Sequence, residues 1–276
     1  MTLLELYQQD KSRFKSFMFD IDGTLLLGNT PIPGAARFLD VLREEGKPFF
    51  FLTNNSTNTH EEIAARLTKA GVKAEPDEIV SCSDPVPKYF RKANTTGRAW
   101  KYFLIGRQPE IPGVITYEKD PEKIMECDGV IHNGGVYDWR VTMTALVNFF
   151  IKFPDKPFLV SNPDILNPVK DGFSVCSNGQ KELIIRLLRE RGIEKERIHF
   201  GKPFNPIYVE AISRLGEGNH PEKSHVAVGD WLNSDIRGAN RAGLGSCLVL
   251  TGLSSRLDAE NAPDEFKPDY IVDSLS

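Results

Sequence analysis

Asp20 and Asp22 stand one residue apart in Asp20-Ile21-Asp22-Gly23-Thr24, directly behind the apolar run Phe17-Met18-Phe19. Two carboxylates this close repel each other unless a cation or a shared proton lies between them. The pair points to a divalent metal, a proton-transfer couple or both; read alone, it equally fits a polar turn whose acids cap local amides. Three further segments carry useful groups. Thr53-Asn54-Asn55-Ser56 follows the run Phe49-Phe50-Phe51-Leu52. Its hydroxyls and amides, with the N–H groups of a turn, could hold phosphate oxygens or cap a helix. Gly201-Lys202-Pro203 could aim one positive charge at a phosphoryl group, although a lone lysine is usually surface decoration. Gly229-Asp230-Trp231-Leu232-Asn233-Ser234-Asp235 puts one acid at a strand end and another in the first turn of a predicted helix. Hard oxygen ligands of this kind suit Mg²⁺, and acids at a helix N-terminus also serve as plain caps.

These groups need a frame, and the hydrophobic pattern supplies one. In the first third, strands are expected at 14–20 and 48–52, and helices at 34–43 (stopped by Gly46) and 59–70 (stopped by Gly71). The continuous apolar run at 48–52 suits a strand covered on both faces. The last third repeats the idiom, with strands at 225–228 and 247–250, a helix at 234–242 ended by Gly243, and an edge strand at 269–272. Such alternation predicts an α/β fold, a parallel sheet flanked by helices. The middle carries its own strands (99–105, 129–132, 157–160) and helices (142–153, 180–191), with Pro85, Pro87, Gly201 and Pro203 punctuating its ends. The expected organisation is therefore a discontinuous core, residues 1–84 and 200–276, interrupted by an inserted α/β domain at 85–199. All four chemical segments then fall at or beside the C-terminal ends of strands, where open α/β sheets bind ligands.

Composition narrows the classes. Of 276 residues, 40% are hydrophobic and 26% charged, which is ordinary for a globular protein. A net charge of −4 argues against a nucleic-acid backbone as the main partner. The N-terminus lacks a basic start and a long apolar segment, and no run is long enough to span a membrane, so neither a secretory signal nor a membrane association is expected. Cys82, Cys127, Cys176 and Cys247 are widely spaced and fit free thiols in a reducing compartment, with the cytoplasm as the expected location. Phe49-Phe50-Phe51 reads as core rather than a ligand patch, and Arg186, Arg189 and Arg191 as a solvated helix face. His132 reads either as a substrate contact or as a structural histidine. No Gly-x-Gly-x-x-Gly follows the first strand, which counts against a nucleotide-cofactor oxidoreductase.

Together and in this order, the four segments resemble the signature of the haloacid dehalogenase (HAD) superfamily in its phosphatase branch. Asp22-Gly23-Thr24-Leu25, Pro31-Ile32-Pro33-Gly34-Ala35 and Leu52-Thr53-Asn54-Asn55-Ser56 are similar to the NagD-like subfamily (class IIA, with a C2-type cap), whose cap is inserted between the second and third segments. The resemblance covers essentially the whole chain and is weaker in the cap. His132-Asn133-Gly134-Gly135 stands where members often carry glycine-hydrophobic-aspartate, and Cys176-Ser177-Asn178-Gly179 stands at a small-residue, glycine-rich segment. Ser161-Asn162-Pro163-Asp164 matches a family loop that faces the active site.

The resemblance implies a HAD-like Rossmannoid core with an inserted α/β cap. It implies a Mg²⁺-dependent phosphatase hydrolysing a small phosphomonoester (a sugar phosphate, nucleotide or similar metabolite) through an aspartyl-phosphate. Asp20 would be the nucleophile, and Asp22 would protonate the leaving oxygen and then deprotonate the attacking water. Thr53, Asn54 and Lys202 would hold the phosphoryl oxygens. The side chains of Asp20 and Asp230 and the backbone carbonyl of Asp22 would bind the metal, with Asp235 supporting it directly, through water or by orienting Lys202. Asn162 and Asp164 would contact substrate from the cap. The alternatives are a phosphomutase or other phosphotransferase on the same core, and a non-catalytic phosphate-ligand binding protein. A dehalogenase has no leaving alkoxide to protonate, so Asp22 argues against it. Family members often form dimers or larger assemblies through the cap, which leaves a homodimer open to this chain.

Overall fold

The computed structural model describes residues 1–169, 172–176 and 179–276; Ser177 and Asn178, in the glycine-rich segment noted above, lie outside them. The chain begins with α1 (Leu3–Gln9), β1 (Ser16–Phe19), a small hairpin of β2 (Leu26–Leu27) and β3 (Thr30–Pro31), α2 (Ala35–Glu44), β4 (Phe49–Thr53), α3 (His60–Lys69) and β5 (Ile79–Ser81). The middle comprises α4 (Pro85–Ala93), β6 (Trp100–Ile105), β7 (Ile115–Glu118), β8 (Gly129–His132), α5 (Trp139–Lys152), β9 (Phe158–Val160), β10 (Leu166–Val169), β11 (Gly172–Val175), α6 (Gln180–Arg189) and β12 (Ile198–His199). It closes with α7 (Asn205–Arg214), β13 (His225–Gly229), α8 (Arg237–Arg241), β14 (Gly245–Val249), α9 (Arg256–Glu260) and β15 (Tyr270–Val272).

Strands from the two ends of the chain build one six-stranded sheet in the order β15-β14-β13-β1-β4-β5, and every pairing in it is parallel. Strands of the middle build a separate five-stranded parallel sheet, β12-β9-β8-β6-β7, with β10 and β11 as an antiparallel hairpin. In the larger sheet β1 is the switch point: β4 and β5 extend it to one side, and β13 to β15 to the other. A crevice opens outside the carboxyl ends of the strands at such a point. Register makes those ends level, with Phe19 opposite both Val228 and Phe51.

The sheet is held by apolar residues on both faces. On one face Tyr7, Phe14, Phe17, Phe19 and Phe38 form a buried aromatic cluster, with Phe17 within 6 Å of each of the other four ring centroids. On the other, Met18, Leu52, Val80 and Ala227 pack on α7 and α8. The Phe49-Phe50-Phe51 run is a core strand, as its composition suggested. Cys82, Cys127, Cys176 and Cys247 are buried free thiols. Among the described residues no helix is long and apolar enough to cross a membrane.

Several elements differ from expectation for local reasons. The first strand starts at Ser16 rather than at 14, because Phe14 terminates a short 3₁₀ turn and is buried through ring contacts, not strand pairing. Pro85 and Pro87 read as punctuation, yet they open α4, where a missing N–H leaves no intrahelical bond unmade. The helix expected at 234–242 is divided: residues Leu232–Ile236 form a π-helical turn, and α8 begins only at Arg237. β5, β7 and β12 are short strands whose sequence carries no clear period. Phe17→Ala should lower unfolding free energy by about 3–5 kcal/mol, the usual cost of emptying a buried phenylalanine site. Urea denaturation measures it, and a loss below about 1 kcal/mol would mean the cluster does not anchor β1.

Candidate active site

Four buried groups meet at the carboxyl edge of the six-stranded sheet. Asp20 directly follows β1, and its N–H continues the ladder to the Val228 carbonyl at 2.8 Å. Thr53 ends β4, Asp230 directly follows β13, and Asp235 comes from the π-helical turn behind it. Among them lies Lys202, whose ammonium donates to Asp20 Oδ1 and, at 2.7 Å, to Asp235 Oδ1. Lys202 is 3% exposed, so the reading as surface decoration is wrong. One carboxylate oxygen from each of Asp20, Asp230 and Asp235 lies within 4.8 Å of the others.

Missing side chains make the room. A Cβ on Gly23, whose φ is +97°, or on Gly252 would overlap the Asp230 carboxylate. A Cβ on Gly229 would overlap Asp235. Asp230 Oδ2 also accepts the Leu253 N–H at 2.7 Å, and Asp235 Oδ2 accepts the Trp231 N–H at 3.2 Å. The glycine of Asp22-Gly23-Thr24 therefore serves a residue more than two hundred positions away. The wider π-helical turn carries Asp235 here, so it is not an acidic cap in the first turn of α8. Turns of this type recur at functional sites.

The 53–56 segment divides its labour. It is not a helix cap, because α3 is capped by Thr59. Thr53 is buried and lines the cavity; its hydroxyl oxygen accepts the Asn55 N–H at 3.1 Å. Asn54 lines the cavity as well, and its side-chain amide also fixes the lysine. Oδ1 accepts the Lys202 N–H at 2.7 Å and Nδ2 donates to the Lys202 carbonyl at 3.0 Å, so this amide positions the lysine. The Ser56 hydroxyl donates to the Asn133 carbonyl, tying the loop to the middle segment.

From that middle segment, Asn162 and Asp164 line the same cavity of about 170 Å³ as Asp20, Thr53 and Lys202. Asn162 Oδ1 accepts the Asp164 N–H at 2.7 Å, and the buried Lys181 ammonium donates to the Asn162 carbonyl. His132 is structural: its Nε2 lies 3.0 Å from the Tyr137 hydroxyl, and Nδ1 accepts the Gly134 N–H at 3.2 Å. Arg186, Arg189 and Arg191 are exposed, consistent with a solvated face. Asp22 lines the cavity rim, and its carboxylate is paired with Arg66 of α3. Arg66, Lys181, Gly252 and Leu253 were not legible as site residues, for each lies in a segment with no chemical pattern of its own.

Three carboxylates around one ammonium leave uncompensated negative charge in a buried place. Burial raises the Asp20 carboxyl well above its usual range, against the pull of Lys202 and with Asp235 and Asp230 adding repulsion. Asp230 is pushed up to about 7 by burial and then by Asp235. Burial alone would lower Lys202, but Asp20 and Asp235 outweigh it and hold the ammonium charged. On the cavity wall, burial pushes Asp164 up to about 6 despite Lys202. A dry cluster of hard oxygen donors that resists ionisation fits a divalent cation of the Mg²⁺ type.

The chain matches two family models: one described as haloacid dehalogenase-like hydrolase, over residues 17–111, and one as HAD-hydrolase-like, over residues 199–276. It is 29% identical to a 4-nitrophenylphosphatase of Schizosaccharomyces pombe, over 98% of this chain and 95% of that one. A dihydroxyacetone phosphatase of Corynebacterium glutamicum is 28% identical over 95% of this chain and 89% of the other. The solved structure of NagD from E. coli K-12 superposes with a TM-score of 0.76 at 28% identity, covering 95% of this chain and 97% of that one.

Proton uptake gives the site a signature. Burial pushes Asp230 from its ordinary 3.8 up to about 7, so between those pH values the metal-free folded state holds a proton that the unfolded chain has lost. The stability linked to that proton is complete below pH 4 and is lost as pH rises through 7. A divalent cation competes with the same proton, so Mg²⁺ should raise Tm more at pH 8 than at pH 5. Differential scanning fluorimetry with and without Mg²⁺ checks this; equal shifts at the two pH values would contradict it.

Proposed function

The chain belongs to the haloacid dehalogenase-like hydrolases, in their NagD-like branch, and from that premise we propose that it is a Mg²⁺-dependent phosphatase of small phosphomonoesters. One observation carries the reading: a buried lysine bonded to two aspartates, with a third within reach, beside a threonine in one cavity. The cavity of about 170 Å³ lies below the usual range for drug-sized ligands, which supports a phosphoryl group with a small leaving group.

In this mechanism an Asp20 carboxylate oxygen attacks phosphorus, and the bond to the leaving oxygen breaks as that oxygen takes a proton from Asp22. Asp22, now ionised, accepts a proton from the water that attacks the aspartyl-phosphate, and Asp20 and inorganic phosphate are released. One group serves both steps because their proton demands are opposite. The Lys202 ammonium, anchored by Asn54 and Asp235, faces Asp20, where it offsets phosphoryl charge; Thr53 offers its hydroxyl. The side chains of Asp20 and Asp230 and the Asp22 carbonyl would hold Mg²⁺, with Asp235 in support. Its chemistry is to lessen the repulsion between a carboxylate nucleophile and a phosphate dianion. The segment inserted between β5 and α7 covers the site as a cap, and Asn162 and Asp164 meet the leaving group.

4-Nitrophenyl phosphate should be hydrolysed with Mg²⁺ and not with excess EDTA, and Asp20→Asn should lose at least ~10³-fold in kcat. Turnover that survives either change sinks the proposal. A panel of phosphorylated metabolites ranked by kcat/KM identifies the leaving group. In that panel Asp164→Asn should change the ratio between a triose phosphate and 4-nitrophenyl phosphate by about tenfold, the worth of one hydrogen bond to a charged group. An unchanged ratio would remove Asp164 from the specificity set.

A further inference from the structure

Arg66 of α3 reaches the cavity rim and grips Asp22. Its Nη2 donates to Asp22 Oδ1 and its Nη1 to Oδ2 at 3.3 Å. The guanidinium is itself fixed: Nη2 also donates to the Gly28 carbonyl at 2.6 Å, and Nε to Asn29 Oδ1 at 3.3 Å. Among the described residues, no other side chain hydrogen-bonds or ion-pairs with the Asp22 carboxylate. The two side chains are 30% and 31% exposed, so the pair sits at the mouth of the site rather than in its dry floor.

We propose, resting on the phosphatase reading, that Arg66 is a positioning residue that aims Asp22 for proton transfer. A guanidinium presents a rigid fork that matches a carboxylate at two points and fixes its plane, which a lysine does not. Each carboxylate oxygen keeps further lone pairs, so the grip leaves Asp22 able to exchange a proton with a group in the cavity. Arg66 stays protonated and does not compete for that proton. A partly exposed ion pair contributes modestly to stability, and its geometric effect falls on the placement of Asp22.

The two halves of the reaction separate this role from a structural one. Forming the aspartyl-phosphate from an alkyl phosphate needs a proton for the leaving alkoxide; forming it from 4-nitrophenyl phosphate does not, because nitrophenolate is a stable anion. Water attack in the second half needs Asp22 with either substrate. Arg66→Met should therefore lower kcat/KM for glycerol 3-phosphate by about tenfold or more, leave kcat/KM for 4-nitrophenyl phosphate within about threefold, and lower kcat for both. Mg²⁺ affinity by calorimetry should stay within about threefold of wild type. Arg66→Lys, which keeps the charge but not the fork, should fall between, and it carries the test if the methionine variant does not fold. Equal losses of kcat/KM on the two substrates, no loss on either, or a parallel loss of Mg²⁺ affinity would overturn the proposal. Wild-type protein inactive on both substrates would instead overturn the phosphatase reading, and this inference with it.

Discussion

The buried contact between Lys202 and the carboxylates of Asp20 and Asp235 is the constraint on which the rest depends. Taking charges out of water is expensive, and an unpaired buried charge is worse. The lysine needs both acids, the acids need the lysine, and a third acid, Asp230, leaves the group short of positive charge. That shortage is useful. A cluster already balanced would offer nothing to a cation; this one keeps carboxylate oxygens in excess of its own positive charge.

The cluster needs rigid, level supports. Asp20, Thr53 and Asp230 come from the ends of three adjacent strands, β1, β4 and β13, whose register places those ends side by side. The carboxylates then occupy the volume that Cβ atoms on Gly23, Gly229 and Gly252 would fill. Asn54 completes the frame by clasping both backbone groups of Lys202 across 148 residues of chain. Backbone hydrogen bonds and absent side chains, rather than soft contacts, set the distances.

The site divides into a buried floor and a more open rim. Asp20, Lys202, Asp230 and Asp235 lie in the floor, where low dielectric strengthens every charge interaction. Asp22 sits at the rim with Arg66. The middle segment meets the rim through the Ser56 hydroxyl on the Asn133 carbonyl and through Arg107 with Glu62 at 3.2 Å. The second of these contacts begins on α3, the helix that also carries Arg66.

Much of this was legible in one dimension. Asp20, Lys202, Asp230 and Asp235 each follow an apolar run or sit in a tight loop with the right chemistry, and the alternation of runs dictates a parallel sheet that brings strand ends together. Other features were not. The clasp of the Asn54 amide on the lysine backbone has no sign in the sequence, and nothing there singles out Arg66. Gly252 carries no signal, because its role is the space it leaves to Asp230. The sequence by itself determined the residue types and the strand-end positions, since hydrophobic period and turn chemistry are local. Only the tertiary structure decided which amide holds the lysine, which arginine holds the acid and which glycines make the room, because each is a contact between segments whose nearness depends on sheet order and register.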